Sequence, residues 1–356
     1  MISVRWLHWA DLVLPPLVAL AVALVAGDLL ILSYGQAPGS VWRLLLEGTW
    51  GNSYGIGQVL YKATTLTCTG LAVALPMRAG LFNIGAESQL AAGAFATALV
   101  ASLLPTATPL LLAAPLCIAG AMVGGGLVGA VPGVLRARYG AHEVIVTIML
   151  NFVVLALLNW LVSTYWHVPE TLHTPTITSG QMPRLSQLFP QFHGSAANWS
   201  WLPVALTAGL VQWALQRSQA GFALRAVGFQ PLAAENAGIL VGRVWRQALT
   251  WGGALAGLGG INFVLGYKGY YEDGLAGGAG FLGIAVALVG RNHPLGVVAA
   301  ALLFATLSQG GLAIHALVPK QMVEVLQAVV ILAMAMAVPE VRRLLRTALT
   351  PRRRAP

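Results

Sequence analysis

The sequence predicts an all-α, polytopic membrane protein with about ten transmembrane helices and both termini in the cytoplasm. Of its 356 residues, 57% are hydrophobic and 9% are charged, whereas a soluble domain has about 25% charged residues. Its mean hydropathy is +0.76. The apolar residues form runs close to the roughly 20 residues that cross a bilayer. Because no stretch is polar enough for a separate soluble domain, we expect residues 1–356 to form a single transmembrane domain.

Ten apolar runs predict the spanning helices. The first run is too long for the hydrophobic region of a signal peptide and follows Asp11, so we expect it to remain as a span. The eighth run is short, which indicates a broken helix or a run that merges with its neighbour. The approximate bounds are 12–33, 58–77, 85–104, 109–131, 143–164, 201–216, 247–266, 279–290, 295–315 and 320–338.

The distribution of positive charge predicts the orientation of these helices, because cytoplasmic connections carry an excess of Lys and Arg. With the N-terminus inside, fifteen of the 20 Lys and Arg residues face the cytoplasm. Residues 165–200 then form an external loop, and residues 216–247 form a cytoplasmic loop. The basic tail at 339–356 is also cytoplasmic, where it can contact anionic lipid headgroups. No basic face alternates with aromatic residues, so we expect no nucleic-acid partner.

Small residues recur four apart in two of the runs, GAMVGGGLVG at 120–129 and GGALAGLGG at 252–260. Such spacing lets helix backbones approach closely in lipid, where packing drives helix association. A second pattern joins GLAVALPMR at 70–78 with GIAVALVGR at 283–291. The duplication of a transporter half would explain this similarity, and so would chance among small apolar residues.

Polar side chains are concentrated in RAGLFNIGAESQ, residues 78–89, between two apolar runs. We expect a helix to start near Ala86 and to carry Glu87 in its first turn, where the helix dipole favours an anion. Asn83, Glu87 and Gln89 then belong either to a polar hinge at the membrane edge or to a discontinuous segment that lines a cavity.

A second polar group opens the fifth run. Glu143 and Asn151 are eight residues apart, about two helical turns, so they share one helix face. Glu143 can pair with an arginine of the preceding basic loop, or the two residues can form a polar stripe along a cavity.

The loop at 216–247 contains PLAAENAG, which predicts a short helix. Pro231 suits the first helical position, and Gly238 suits the left-handed residue after the end. A short exposed helix between two spans is a surface that a soluble partner can contact, with Arg225 and Glu235 as candidate contacts.

The residue patterns also argue against enzymatic chemistry in this chain. No GxxxxGK[ST] motif is present for nucleotide binding. His167, His173 and His193 have no usual metal-ligand spacing. Cys68 and Cys117 lie in apolar runs, so we expect them to pack in the core. We therefore expect no catalytic residue, no metal and no cofactor in this chain.

The motifs GLFNIGAESQ, HEVIVTIMLN, ALRAVGFQPLAAENAGI, GGALAGLGG and GIAVALVGRNHPLGVV occur in the order seen in bacterial ABC importer permeases of the simple-sugar and purine-nucleoside type. The chain resembles the longer of the two permeases that nucleoside systems of this type often encode. The resemblance covers roughly residues 58–310. Ser88 departs from the glycine that is usual in the family, which puts the local backbone and fine specificity in doubt.

The resemblance implies a subunit of a transporter for nucleosides or related simple sugars in the bacterial inner membrane. Its partners would be a cytoplasmic ABC ATPase, a second and different permease chain, and an extracytoplasmic binding protein or lipoprotein. ATP would bind only to the ATPase. The implied pathway candidates are Asn83, Glu87, Gln89, Glu143 and Asn151, and the implied ATPase-coupling candidates are Arg225, Pro231, Ala234, Glu235, Asn236 and Gly238.

One alternative of another class is a stand-alone secondary transporter coupled to an ion gradient. That mechanism requires a carboxylate within the membrane. Glu87, Glu143 or Glu324 could supply it.

Overall fold

The computed structural model describes residues 4–349, without the side chains of residues 4–16, 19, 320, 335 and 337–349. The arginines of the predicted tail at 339–356 therefore lie outside the described side chains. The described part of the chain is mostly α-helical, with two short π-helical segments, one 3₁₀ turn and non-helical connections. The α-helices are α1 (Val4–Ser33), α2 (Pro38–Thr49), α3 (Ser53–Met77), α4 (Ala86–Leu103), α5 (Leu110–Tyr139), α6 (Glu143–Leu161), α7 (Leu185–Leu188), α8 (Trp201–Arg217), α9 (Gln219–Phe229), α10 (Pro231–Asn236), α11 (Val241–Leu258), α12 (Gly260–Phe263), α13 (Ala279–Val289), α14 (Pro294–Ala313) and α15 (Lys320–Leu349).

Each of the ten predicted apolar runs falls on a helix. Among the described residues, four helices are long and apolar enough to cross a membrane, or five if one bent pair of helices forms a single span. The all-α membrane class is thereby confirmed. Helix α13, on the eighth run, has only 11 residues, which is too short to cross a bilayer alone.

The structure adds helices that the apolar runs did not predict. Helix α2 follows α1 after a sharp turn, and the two helices are bent by 113°. Gly35 has a φ of +71° in that turn, a conformation that glycine adopts without steric cost. Helix α9 lies within the loop predicted at 216–247, and α11 already begins at Val241. Exposed arginines in its first turns kept that segment out of the apolar run.

Contacts divide the chain into two compact units, Met1–Gly51 with Thr306–Pro356, and Asn52–Ala305. In the first unit, α1 packs against α15. Asp28, a carboxylate within the first apolar run, accepts a hydrogen bond of 2.7 Å from the Trp42 indole nitrogen. This bond gives the partly buried carboxylate a partner on α2.

The crossing of α5 and α11 forms the centre of the second unit. A Cβ added to Gly125 would lie 2.3 Å from the carbonyl oxygen of Gly253, and one added to Gly257 would lie 2.3 Å from that of Ala121. The two backbones are therefore in direct contact. The small-residue repeats at 120–129 and 252–260 pack against each other, which confirms the close packing predicted for them.

The two similar segments at 70–78 and 283–291 also lie side by side, at the contact between α3 and α13. A Cβ on Gly70 would lie 2.8 Å from a side-chain atom of Val286, and one on Gly283 would lie 2.6 Å from Thr69. This contact brings the ends of both segments, at Arg78 and Arg291, to the same end of the unit.

Candidate functional site

The segment between α3 and α4 forms a tight turn that starts the candidate site. The amide of Leu81 donates to the carbonyl of Pro76 at 3.1 Å, and Gly80 has a φ of +74°. Pro76 and Leu81 are both buried. Residues 78–85 therefore form a non-helical connection whose polar groups have to be satisfied by protein, since lipid offers no partner.

A cluster of buried amides satisfies this turn. The Asn83 amide nitrogen donates to the Ala72 carbonyl at 3.1 Å and to Gln89 Oε1 at 2.9 Å. Its oxygen accepts from the Gly85 amide and from Gln89 Nε2, both at 3.1 Å. Asn83 is fully buried and Gln89 is 1% exposed. The pair thus joins α3, the turn and α4 through four hydrogen bonds.

Helix α6 joins the same cluster. Asn151 Nδ2 donates to the Ile84 carbonyl at 2.9 Å, and its oxygen accepts from the Ser88 amide at 3.1 Å. The Ile84 amide donates to the Thr147 hydroxyl at 3.3 Å. Two residues of α6, one turn apart, therefore hold both sides of the turn. We call Asn83, Gln89, Thr147 and Asn151 the amide cluster.

Glu87 connects α4 with the start of α13. Its carboxylate oxygens accept hydrogen bonds from the amides of Gly278 at 2.8 Å and Gly280 at 2.7 Å. Those amides belong to the first turn of α13, where N–H groups lack partners within the helix. The predicted position of Glu87 in the first turn of its own helix is confirmed. That its carboxylate caps a different helix was not predictable from the sequence.

Glu143 pairs with an arginine of the preceding basic loop, one of the two expectations for it. Its carboxylate lies 3.6 Å from Arg136 Nε, and the Arg136 guanidinium lies 4.9 Å from the centre of the Trp245 ring. Glu143 and Asn151 are both buried on the same face of α6, as their spacing predicted. The arrangement ties the ends of α5 and α6 to the first turns of α11.

The predicted short helix is present as α10, and the preceding α9 makes the loop mostly helical. Pro231 occupies the first turn of α10, and Gly238, which follows the C-cap residue Ala237, has a φ of +83°. Ala234 is buried, whereas Glu235, Asn236 and Gly238 are exposed. One face of α10 thus packs on the protein, and the other faces solvent.

Two exposed apolar side chains, one at the end of α9 and one on α10, were not predicted from the sequence. Phe229 is 88% exposed and Leu232 is 68% exposed. A pocket of about 430 Å³ lies between the end of α10 and the start of α11, with Glu235, Arg243 and Arg246 in its wall. The sequence signal for Phe229 and Leu232 was that two large apolar residues stand on either side of Pro231, in a loop otherwise rich in polar and small residues.

The loop contacts the turn directly. A Cβ on Gly228 of α9 would lie 2.0 Å from the Arg78 carbonyl oxygen. Ala79, Leu81, Val227 and Ala234 are members of one buried apolar cluster. Helices α9 and α10 and the turn at 78–85 are therefore packed against one another.

A second buried amide pair, also missed, lies between α3 and α12. Asn262 Nδ2 donates to the Tyr61 carbonyl at 2.8 Å and to the Thr65 hydroxyl at 2.9 Å. Asn198 Nδ2 donates to Asn262 Oδ1 at 3.0 Å. Asn262 within an apolar run was the available signal, since a polar residue in a membrane helix usually has a specific partner.

The structure thus brings four of the five pathway candidates, Asn83, Glu87, Gln89 and Asn151, around one turn. Glu143 lies one turn of α6 beyond, where its backbone carbonyl accepts from Thr147 at 2.8 Å. The coupling candidates divide in two. Those from Pro231 to Gly238 are on or next to α10, whereas Arg225 is half-buried on α9.

We expect Asn83→Ala to destabilise the protein by about 2–4 kcal/mol, because buried polar groups left unpaired cost about 1–3 kcal/mol each. The change would leave the Gly85 amide and both ends of the Gln89 amide without Asn83. Thermal unfolding of the detergent-purified protein measures the effect. Asn159→Ala is the control, since it removes one 3.3 Å bond to Asp273 in an exposed position. Equal unfolding temperatures for the two variants would contradict the role of the amide cluster.

Residues 55–335 match the model of a family described as branched-chain amino acid transport system, permease component. Similar curated proteins are found over nearly the whole chain. The guanosine ABC transporter permease protein NupP of Bacillus subtilis (strain 168) is 37% identical over 330 residues, 90% of this chain and 92% of that protein.

Two further relatives have other substrates in their names. The nucleoside ABC transporter permease protein NupB of Lactococcus lactis subsp. cremoris is 32% identical, over 91% of this chain and 90% of that protein. The glucose ABC transporter permease protein TsgB13 of Haloferax volcanii is 33% identical, over 92% of this chain and 87% of that protein.

Proposed function

The chain belongs to the branched-chain amino acid transport system permease family and is the permease subunit of an ABC importer, and from this premise we propose that it carries nucleosides or related simple sugars. The observation that carries the substrate class is the similarity, at 32–37% identity over about nine-tenths of the chain, to permeases named for guanosine and nucleosides. The relative named for glucose keeps sugars within the proposal.

We also propose a membrane location and three partner proteins for this chain. The chain spans the bacterial inner membrane with both termini in the cytoplasm. It pairs with a second, different permease chain to form the pathway. An ABC ATPase binds on the cytoplasmic side and holds the ATP, and an extracytoplasmic binding protein or lipoprotein delivers the substrate.

Helix α10 is the proposed contact with the ATPase. Its exposed side offers Glu235 and Asn236, and Phe229 and Leu232 add apolar area that water otherwise covers. Exposed apolar groups rimmed by polar residues are typical of protein interaction sites. Pro231 starts the helix, the buried Ala234 packs it against the protein, and Gly238 allows the chain to turn after its end. Arg225 lies on the preceding helix α9.

The proposed transmission follows the contacts inside the chain. Movement of α10 acts on α9, and Gly228 of α9 lies against the Arg78 carbonyl at the start of the turn. The amide cluster fixes the other side of that turn to α4 and α6. Glu87 extends the connection to α13. The pathway candidates therefore work by moving these helices as a unit and by presenting the turn at 78–85 to the pathway.

The proposed function is tested by ATP-dependent uptake into proteoliposomes that contain the full transporter. Labelled guanosine, adenosine, uridine, ribose, glucose and leucine are compared at equal concentrations, with and without ATP. Uptake of a nucleoside that requires both ATP and the ATPase supports the proposal. Uptake of only a branched-chain amino acid would overturn the substrate class. Uptake by this chain alone under a proton gradient would instead support the ion-coupled alternative.

We expect Leu232→Ser to lower ATP-dependent uptake at least tenfold, because an apolar side chain of this size contributes about 1.5–3 kcal/mol when buried. The exposed position of Leu232 means that folding should be unaffected. Leu232→Met is the conservative control and should keep most of the uptake. The rate of ATP hydrolysis and the amount of co-purified ATPase are measured together with uptake. Normal uptake by Leu232→Ser would exclude Leu232 from the ATPase contact.

A further inference from the structure

A small cationic pocket lies next to the turn at 78–85, and the function proposed above does not explain its charge. Its volume is about 230 Å³. The side chains in its wall come from the turn, from α8, from α9 and from the connection between α13 and α14. They are Arg78, Gln212, Leu215, Gln216, Arg225, His293 and Pro294. No acidic residue is among them.

Neither arginine of the cationic pocket has a carboxylate partner among the described residues. Arg78 donates through Nε to the Asn292 carbonyl at 2.8 Å. Its two terminal nitrogens make no hydrogen bond to the described residues. Arg225 makes no described hydrogen bond or ion pair. Two half-buried guanidinium groups thus share one pocket, and no carboxylate among the described residues neutralises them.

Burial and mutual repulsion both act against positive charge in the pocket. Burial, and next the charge of Arg225, lower the pKa of the Arg78 guanidinium. Burial, and next the charge of Arg78, lower the pKa of His293. In both groups, burial and a neighbouring positive charge disfavour the positive form. An anion bound between them would oppose both effects.

The remaining groups of the pocket can add hydrogen-bond donors. Gln212 Nε2 lies 3.3 Å from His293 Nε2, while Gln212 Oε1 is buried without a partner. Amide oxygen and nitrogen are interchangeable in such an assignment. In the exchanged orientation, the oxygen accepts from His293 and the nitrogen is free to donate. Helix α14 begins at Pro294, and its positive end borders the pocket.

The backbone supports the pocket at the place where the two similar segments end. Arg291 and Asn292 have φ values of 55° and 54°, which are costly for residues other than glycine. The resulting bend brings the Asn292 carbonyl to Arg78 and His293 to Gln212. This strained connection therefore positions Arg78 and His293 in the wall of the pocket.

We propose that the cationic pocket binds a phosphate group. Two guanidinium forks, an imidazole, an amide and a helix N-terminus surround it, which is more donors than the two oxygens of a carboxylate can accept. The three or more oxygens of a phosphate match this set, and arginine binds phosphate in a bidentate manner. The volume of about 230 Å³ is below the roughly 300 Å³ at which pockets for drug-sized ligands begin. The phosphate is therefore either free inorganic phosphate or the headgroup of an anionic lipid.

The first arm of the test uses inorganic phosphate. The full chain, purified with its partner subunits, is placed in neutral-lipid nanodiscs, and binding is measured by calorimetry against a chloride control. Arg225→Gln should weaken phosphate binding at least tenfold, and Arg225→Lys should weaken it less. Arg217→Gln is the matched control, because Arg217 is exposed on α8 and outside the pocket; it should bind phosphate like the unchanged protein.

The second arm tests the lipid source. The detergent-purified complex is exposed to phosphatidylglycerol or phosphatidylcholine, and retained lipid is counted by native mass spectrometry. Retention of phosphatidylglycerol that Arg225→Gln removes, and Arg217→Gln does not, identifies the headgroup as the ligand. Binding in either arm that depends on Arg225 supports the proposal.

Thermal unfolding separates binding from a structural role of Arg225. Without ligand, Arg225→Gln should not lower the unfolding temperature, because it removes a charge that repels Arg78. With ligand, only the unchanged protein and Arg217→Gln should gain stability. Absence of Arg225-dependent binding in both arms would overturn the proposal. A cross-link from position 225 to an ATPase carboxylate, in a complex that binds no phosphate, would also overturn it. Because these assays measure binding rather than uptake, their failure is distinct from a failure of the transport proposal.

Discussion

Gly257→Leu is expected to prevent stable folding, and Gly257→Ala to destabilise the protein by roughly 3 kcal/mol, the upper end of the usual cost of overpacking. A Cβ at this position would lie 2.3 Å from the Ala121 carbonyl oxygen and 3.0 Å from the Gly125 Cα. Both atoms belong to backbone, so no side chain can move aside. The helices α5 and α11 would have to separate along the whole crossing.

Glycine at another helix position provides the control for this prediction. Gly209 on α8 has no atom within 4 Å of an added Cβ, and Gly209→Ala should be neutral or slightly stabilising because alanine favours the helix. Fluorescence-detected size-exclusion chromatography after heating measures both variants. If Gly257→Ala and Gly209→Ala had the same unfolding temperature, the backbone contact between α5 and α11 would be refuted.

The second large effect is expected for Glu87→Ala, at about 3–6 kcal/mol, since a hydrogen bond to a charged group contributes about 1.5–3 kcal/mol. The change removes both acceptors of the Gly278 and Gly280 amides and leaves the first turn of α13 without its cap. Glu87→Gln keeps one acceptor oxygen and should lose about half as much. Unfolding temperature and uptake should fall together, because α13 would no longer follow α4.

A carboxylate outside this contact serves as the control for Glu87. Glu235 is exposed on α10, so Glu235→Ala should leave the unfolding temperature unchanged. Hydrogen exchange of the amides at 278–280 gives a local readout. Protection there that persists in Glu87→Ala would mean that the carboxylate does not cap α13.

The pathway candidates that belong to the amide cluster affect the substrate pathway indirectly. Buried and fully bonded side chains such as Asn83 and Asn151 hold helices in register, and their effect on the pathway comes through the turn at 78–85. This distinction separates two experiments. Changes in the cluster should alter stability and uptake together, whereas changes at Leu232 should alter uptake and the contact with the ATPase without altering stability.

Much of the fold followed from local patterns. The apolar runs indicated the helices, because a chain in lipid must satisfy its backbone within each helix. The short helix α10 and its flanking Pro231 and Gly238 could be predicted because both residues restrict or release the backbone locally. The glycine repeats predicted close packing, although the partner of each repeat was not predictable from spacing alone.

The sequence by itself determined the all-α membrane class, the family, the start of α4 near Ala86 and the shared face of Glu143 and Asn151. Only the tertiary structure decided that Glu87 caps α13, that Asn83 and Asn151 hold one turn, and that Arg78 and Arg225 share a pocket. The physical reason is the range of the interactions. Helix formation, turns and burial depend on neighbours within a few residues, whereas these contacts join groups such as Glu87 and Gly278 that are far apart in the chain and depend on how whole helices pack.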